Sequence, residues 1–121
     1  MSHQENPADV VQCQLDAYNA HDMDAWLATY APDAKQYEYP NKLIAQGHDA
    51  IRERMVLRFQ EPDLHAHLRS RIVIGDLVID HEDVLRSFPE GPGKVEMVAI
   101  YQVTGGRIAS ATFIIGNKRS S

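Results

Sequence analysis

The stretch from residue 65 to residue 115, HAHLRSRIVIGDLVIDHEDVLRSFPEGPGKVEMVAIYQVTGGRIASATFII, decides the fold. Residues 65–74, 77–88, 94–103 and 107–115 read as strands, dense in β-branched and aromatic side chains. They are joined by Gly75-Asp76, by Pro89-Glu90-Gly91-Pro92-Gly93 and by Thr104-Gly105-Gly106. Short glycine-rich connections are hairpin chemistry, and a hairpin makes its strands antiparallel. Strands this long exceed the usual five or six residues, so the sheet must twist, bulge and curve. Val95, Met97, Ala99, Tyr101 and Val103 share one side of their strand, with Val98 and Ile100 on the other. Ala111, Phe113 and Ile115 likewise alternate with Thr112 and Ile114. A sheet solvated on one face would show polar residues there. Either these positions express plain β-propensity, or a second copy covers the outer face as a homodimer.

Working outward, the upstream chain predicts helices. Asn6-Pro7-Ala8-Asp9 carries a cap, a first-turn proline and a first-turn acid, with Val11, Leu15 and Tyr18 at helical spacing behind it. Asp22 caps a second, short helix carrying Met23, Trp26, Leu27 and Tyr30, which Ala31-Pro32-Asp33 breaks. Lys35 to Tyr39 reads as a strand, and Leu43-Ile44-Ala45 pairs back on it. Gly47-His48-Asp49 opens a third helix with Ile51, Met55 and Phe59 spaced by four, and Pro62 follows its end. Three helices of this length cannot cover a long curved sheet, so the arrangement is a cone with a cavity at its open end. The fold class is α+β.

Composition narrows the function. A chain of 121 residues, 44% hydrophobic, is one domain over 1–121. A net charge of −5 argues against nucleic acid and membrane surfaces as partners. No apolar run is long enough to span a bilayer, and Met1-Ser2-His3-Gln4-Glu5 is no secretory signal. The single cysteine, Cys13, fits a reducing, cytoplasmic setting. Asn117 to Ser121 reads as a short polar tail.

The order of elements, with Tyr18-Asn19-Ala20-His21-Asp22-Met23-Asp24, Tyr30-Ala31-Pro32-Asp33-Ala34 and Gly47-His48-Asp49-Ala50-Ile51-Arg52, resembles the nuclear transport factor 2-like superfamily, and within it the SnoaL-like and ketosteroid-isomerase-like branch. The resemblance covers roughly residues 8 to 117. It implies a cone-shaped, cystatin-like fold, three N-terminal helices on a strongly curved antiparallel sheet. It also implies a dimer and a pocket for a small, apolar or cyclic molecule. Members include isomerases, cyclases, epoxide hydrolases, dehydratases and proteins without known catalysis, so fold alone does not decide function. Carried over residue by residue, the isomerases' base falls at Glu38 and the aromatic ending the second helix is kept as Tyr30. The oxyanion tyrosine falls at Gln14, the oxyanion aspartate near Ala99 and the supporting tyrosine at Met55. Both oxyanion donors are missing, so the steroid isomerase mechanism is not expected.

Four residues stand out as catalytic candidates. Glu38 lies between Tyr37 and Tyr39, where apolar surroundings would raise its pKa toward the range of an acid–base catalyst. Asp80-His81-Glu82-Asp83 interrupts a long strand with four polar residues. Pairing Phe88 with Val95 turns Glu82 toward Tyr101 and into the cone, whereas a slip of one residue turns His81 inward instead. An inward Glu82 with Arg86 and Glu38 would form a carboxylate–arginine–carboxylate set resembling that of the related epoxide hydrolases. The competing reading is a salt-bridged surface using Arg69, Arg71 and Arg86. Gln14, Tyr18, Trp26, Tyr30, Met55, Ala99 and Phe113 are the candidate ligand-binding wall, and the aromatics among them serve a core equally well. His65 and His67 share one strand face but lack a third ligand at metal spacing, so no metal is expected, and no organic cofactor is indicated. The expectation is a small-molecule pocket protein with isomerase, lyase or hydrolase chemistry based on a carboxylate. The alternative is a non-catalytic ligand-binding or dimerisation module.

Overall fold

In the computed structural model, which describes residues 6–120 and the side chains through residue 118, helix α1 runs Pro7–Asn19. The Asn6 side chain accepts from the Ala8 N–H at 2.8 Å, satisfying one of the amides a helix start leaves open. Met1–Glu5 and Ser121 lie outside the described residues. After Ala20 the chain turns through His21 at φ 57°, and Asp22 caps α2, Met23–Ala28, by accepting from Ala25 at 3.1 Å. The second helix ends earlier than its periodicity predicts. Tyr30 already opens strand β1, Tyr30–Glu38, because a residue preceding proline, here Ala31, disfavours helical geometry. Strand β2, Lys42–Gln46, pairs back antiparallel on β1. Gly47 at φ 86° then turns the chain into α3, His48–Met55, and donates its N–H to Ala34 O at 2.8 Å. The third helix does not reach Phe59 as one piece: a 3-10 turn, Arg58–Gln60, carries that residue inward.

Strands β3 (His65–Ile74), β4 (Leu77–Phe88), β5 (Gly91–Thr104) and β6 (Arg107–Ser120) form the long meander. The sheet order is β2-β1-β6-β5-β4-β3, curved and unclosed. All neighbours are antiparallel except β1 and β6, which run parallel. Two expectations are corrected. The β4–β5 connection is tighter than the glycine and proline run suggested, so Phe88 pairs with Gly91 rather than Val95. The polar tail is strand through Ser120, because β5 begins at Gly91 and its first residues pair with residues 118–120.

Helix α1 lies across β3, β4 and β5, while α3 lies against β1 and β2. The concave face between them is left for side chains and for a cavity. Trp26 and Tyr30 are both nearly inaccessible in this core. Each buries roughly 150–250 Å² of surface, about 4–6 kcal/mol gross at ~25 cal/mol per Å². No helix among the described residues is long and apolar enough to cross a membrane.

Candidate functional site

A cavity of about 150 Å³ lies between the helices and the concave face. Nine of the residues singled out from sequence line it, seven of them Gln14 and Tyr18 from α1, Trp26 from α2, Tyr30 from β1, Met55 from α3, Tyr101 from β5 and Phe113 from β6. Glu82 lines it from β4, and Glu38 stands at its edge with an exposed side chain. Glu38 therefore does not have the apolar surroundings expected of it. Ala99 is fully buried but outside the lining, because it sits between Asp80 and Phe113 in the sheet register and its methyl is too short to reach past them. The aromatics pack on one another. Trp26 meets Tyr30 at 4.9 Å and Phe59 at 5.2 Å, and Tyr18 meets Phe59 edge-on at 5.4 Å.

Strand alternation places Val78, Asp80, Glu82 and Val84 on the buried side of β4. The observed register differs from the expected one by four residues, an even number, so the inward face is unchanged. His81 therefore turns outward, where its Nε2 lies 2.6 Å from Glu96 Oε2 and 3.3 Å from Arg69 Nη1. Arg69 also bonds Glu96 at 3.2 Å and lies 3.7 Å from Asp83. The salt-bridged surface reading thus describes His81 and Asp83. His65 and His67 are exposed on β3, and the described residues hold no metal-like group of three or more His, Cys, Asp or Glu.

Asp80 is fully buried and held by Arg71 through two hydrogen bonds of 2.7 and 2.9 Å. Arg71 also donates to Gln12 Oε1 at 3.0 Å, which ties β3 to α1. Glu82, two residues on, is 3% exposed, and among the described residues no hydrogen bond or ion pair engages its carboxyl. Burial, and then the negative charge of Asp80, push its pKa up to about 8 against the opposing pull of Arg71. At neutral pH Glu82 is mostly a neutral carboxylic acid in an apolar wall. The Tyr101 hydroxyl nearby is driven well above its usual range by burial and by Glu82, so it stays protonated and can donate. Arg86 does not join Glu82 and Glu38. Its guanidinium makes two bonds of 2.9 Å to Glu61, a pairing across the 3-10 turn that the strand pattern did not show.

Two charged cavity residues escaped the sequence reading. Arg54 and Arg58 line the cavity from the end of α3 and the turn after it. Arg54 Nε donates to the buried Gln36 Oε1 at 3.0 Å, and Gln36 in turn approaches the Tyr30 hydroxyl at 3.4 Å. The signal was present: both arginines precede a stripe residue, Met55 and Phe59, and share its spacing of four.

An α+β cone closed by helices, with an ionisable group in its pocket wall, defines the class. A model of the SnoaL-like domain matches residues 11–111, and the chain belongs to that family. Comparison with curated proteins gives no sequence match. Among solved structures, the chain is similar to an uncharacterised cystatin-fold protein from Novosphingobium aromaticivorans, with 25% identity, a TM-score of 0.79, and 91% of this chain and 98% of that one covered. It is also similar to a protein from Jannaschia sp. provisionally named a SnoaL-like polyketide cyclase, at 17% identity and a TM-score of 0.78 over 95% and 89% of the two chains. TerC, solved with polyporic acid, superposes with a TM-score of 0.79 at 15% identity, covering 91% of each chain. At these last two identities the likeness speaks for the fold alone.

Proposed function

We propose that the chain binds a small cyclic molecule in the cone and moves a proton on it, with Glu82 as the acid–base group and Tyr101 as a neutral hydrogen-bond donor. The observation that carries this reading is the Glu82 carboxyl, buried in the cavity wall and bonded to no cation among the described residues. In its ionised form such a carboxyl can take a proton from the carbon beside a carbonyl, while Tyr101 donates to the oxygen that gains charge. Returning the proton at a different carbon gives isomerisation, and returning it to a departing group gives elimination. A cavity of about 150 Å³ suits a single ring, since an engineered cavity of about that size takes benzene. Steroids are larger, and Gln14 and Ala99 stand where the steroid isomerases place their donors. Glu38, at the edge, is an exposed second carboxyl with no buried role.

Exchange of the α-hydrogens of cyclohexanone in D2O, followed by NMR, tests this. The wild-type protein should accelerate exchange, more strongly as pH rises toward 8 and the base form of Glu82 grows. Glu82→Gln should remove the acceleration and Glu38→Gln should keep it. Equal rates in wild type and Glu82→Gln would favour a binding module without chemistry.

A further inference from the structure

The acid–base reading leaves two cations in the cavity unused. Arg54 and Arg58 are spaced by four and both line it. Among the described residues, the only side-chain hydrogen bond of Arg54 is to Gln36, a neutral acceptor, and its guanidinium lies 5.6 Å over the Phe113 ring. Arg58 reaches the Tyr18 hydroxyl, and its Nε is buried with no partner among the described residues. Neither arginine belongs to an ion pair among the described residues. Glu61 is close enough to feel the Arg58 charge, but its oxygens are occupied by Arg86 and by the Ser87 N–H. Burial, and then the charge of Arg58, hold Arg54 below the usual arginine range. A helix C-terminus favours arginines on its surface, as with Arg52, which is exposed and paired to Asp24 at 2.8 Å. That preference does not explain two that turn inward and repel each other.

The same wall holds two further polar atoms without partners among the described residues, Gln14 Oε1 and Trp26 Nε1, on residues that are 5% and 2% exposed. Buried polar atoms are nearly always satisfied, so a cavity wall with three orphans is shaped for a polar ligand. The carboxyl across the cavity, Glu82, is mostly uncharged at neutral pH and supplies no counter-charge. We propose that the natural ligand is a single-ring molecule bearing one carboxylate, whose oxygens are held by Arg58 and Arg54 while the ring packs on Trp26, Met97 and Phe113. This deepens the proposed function and rests on its reading of the cavity as a ring site. Guanidinium and carboxylate match in shape as well as charge, which makes arginine the suitable donor.

Benzoate and benzamide have the same shape and differ in charge, so they separate the anion site from the ring site. Binding is read by calorimetry, with the fluorescence of Trp26 as a second signal. Benzoate should bind about tenfold or more tightly than benzamide, as expected of a charge-assisted pair in a partly desolvated site. Arg58→Gln should reduce that preference to within about twofold by weakening benzoate far more than benzamide, whereas Arg58→Lys should keep part of it. A merely structural arginine would weaken both ligands together. Equal affinities in the wild-type protein, or a preference that survives the Arg54→Gln, Arg58→Gln double variant, would overturn the anion site and leave the ring site standing. Failure of both probes to bind the wild-type protein would overturn both readings.

Discussion

Glu82 links stability to pH in a direction opposite to most carboxylates. Its pKa rises from 4.5 to about 8 on folding. The neutral form is the one the fold accommodates, so its favourable contribution is complete below pH 4.5. That contribution is lost as pH rises, and the loss is complete above about 8. The span is on the order of a few kcal/mol. Glu82→Gln should therefore flatten the stability profile between pH 5 and 9 and exceed the wild type at the alkaline end, as read from urea midpoints. A slope that persists unchanged in the variant would mean Glu82 is not its source. Asp80, two residues before it, is paired with Arg71 inside the sheet. Removing one partner strands a buried charge, so Arg71→Met should cost about 3–5 kcal/mol, while Asp80→Asn combined with Arg71→Met should recover part of that loss. The residue scale is also where sequence reading is weakest. Parity suffices to turn Glu82 inward, since a strand has only two faces. Whether Glu38 is buried depends on where its strand ends relative to the cone, and Arg54 and Arg58 depend on the rotation of a helix, which alternation does not reveal.

Among elements, one side chain ties the end of α1 to the start of β3. Asn19, the last residue of α1, donates to Ala66 O at 3.0 Å and accepts from Ala66 N at 2.8 Å, doing for the β3 backbone what a neighbouring strand would do. His21, in left-handed geometry, adds a ring contact to Leu64 O at 2.7 Å. Asn19→Ala should leave both Ala66 groups unpaired in a poorly solvated spot and cost roughly 2 kcal/mol. Asn19→Asp, which keeps the acceptor and loses the donor, should cost less. Thermal unfolding of the two variants checks the order, and equal losses would contradict this account. From sequence Asn19 is simply the end of a helix, because a bond spanning 47 residues leaves no local trace. The strands were legible for the opposite reason. Their alternation and their glycine turns are local, so all four of residues 65–115 emerge within a few residues of their ends. What alternation does not determine is register. The connection read as the five residues Pro89 to Gly93 is a turn within Pro89-Glu90, and the inward face survived only because the error was even.

The whole molecule leaves one face unexplained. Ile72, Ile79, Ile100, Thr112 and Tyr37 lie side by side in the sheet register, and Val98 pairs with Ile114 in the next row, all on the side away from the helices. None of them belongs to the buried core, and Ile72 is 54% exposed. Beside this band stand Arg69, His81, Asp83 and Glu96, a cluster carrying both signs of charge. A patch that is apolar in its middle and mixed in charge at its side can meet a copy of itself across a twofold axis. Six strands at roughly 4.8 Å spacing and about 33 Å long offer on the order of 900 Å², close to the ~800 Å² per partner of a stable interface. We therefore propose that two copies associate through the outer sheet face. Ile100→Arg tests this cleanly, because Ile100 points away from the cavity and its side chain is partly exposed in the single chain. The substitution should change monomer stability by no more than about 0.5 kcal/mol, leave ring binding in the cone intact, and convert a dimer to a monomer in sedimentation velocity at micromolar concentration. A wild-type protein that already sediments as a monomer would remove the interface and leave the exposed isoleucines as ordinary strand residues.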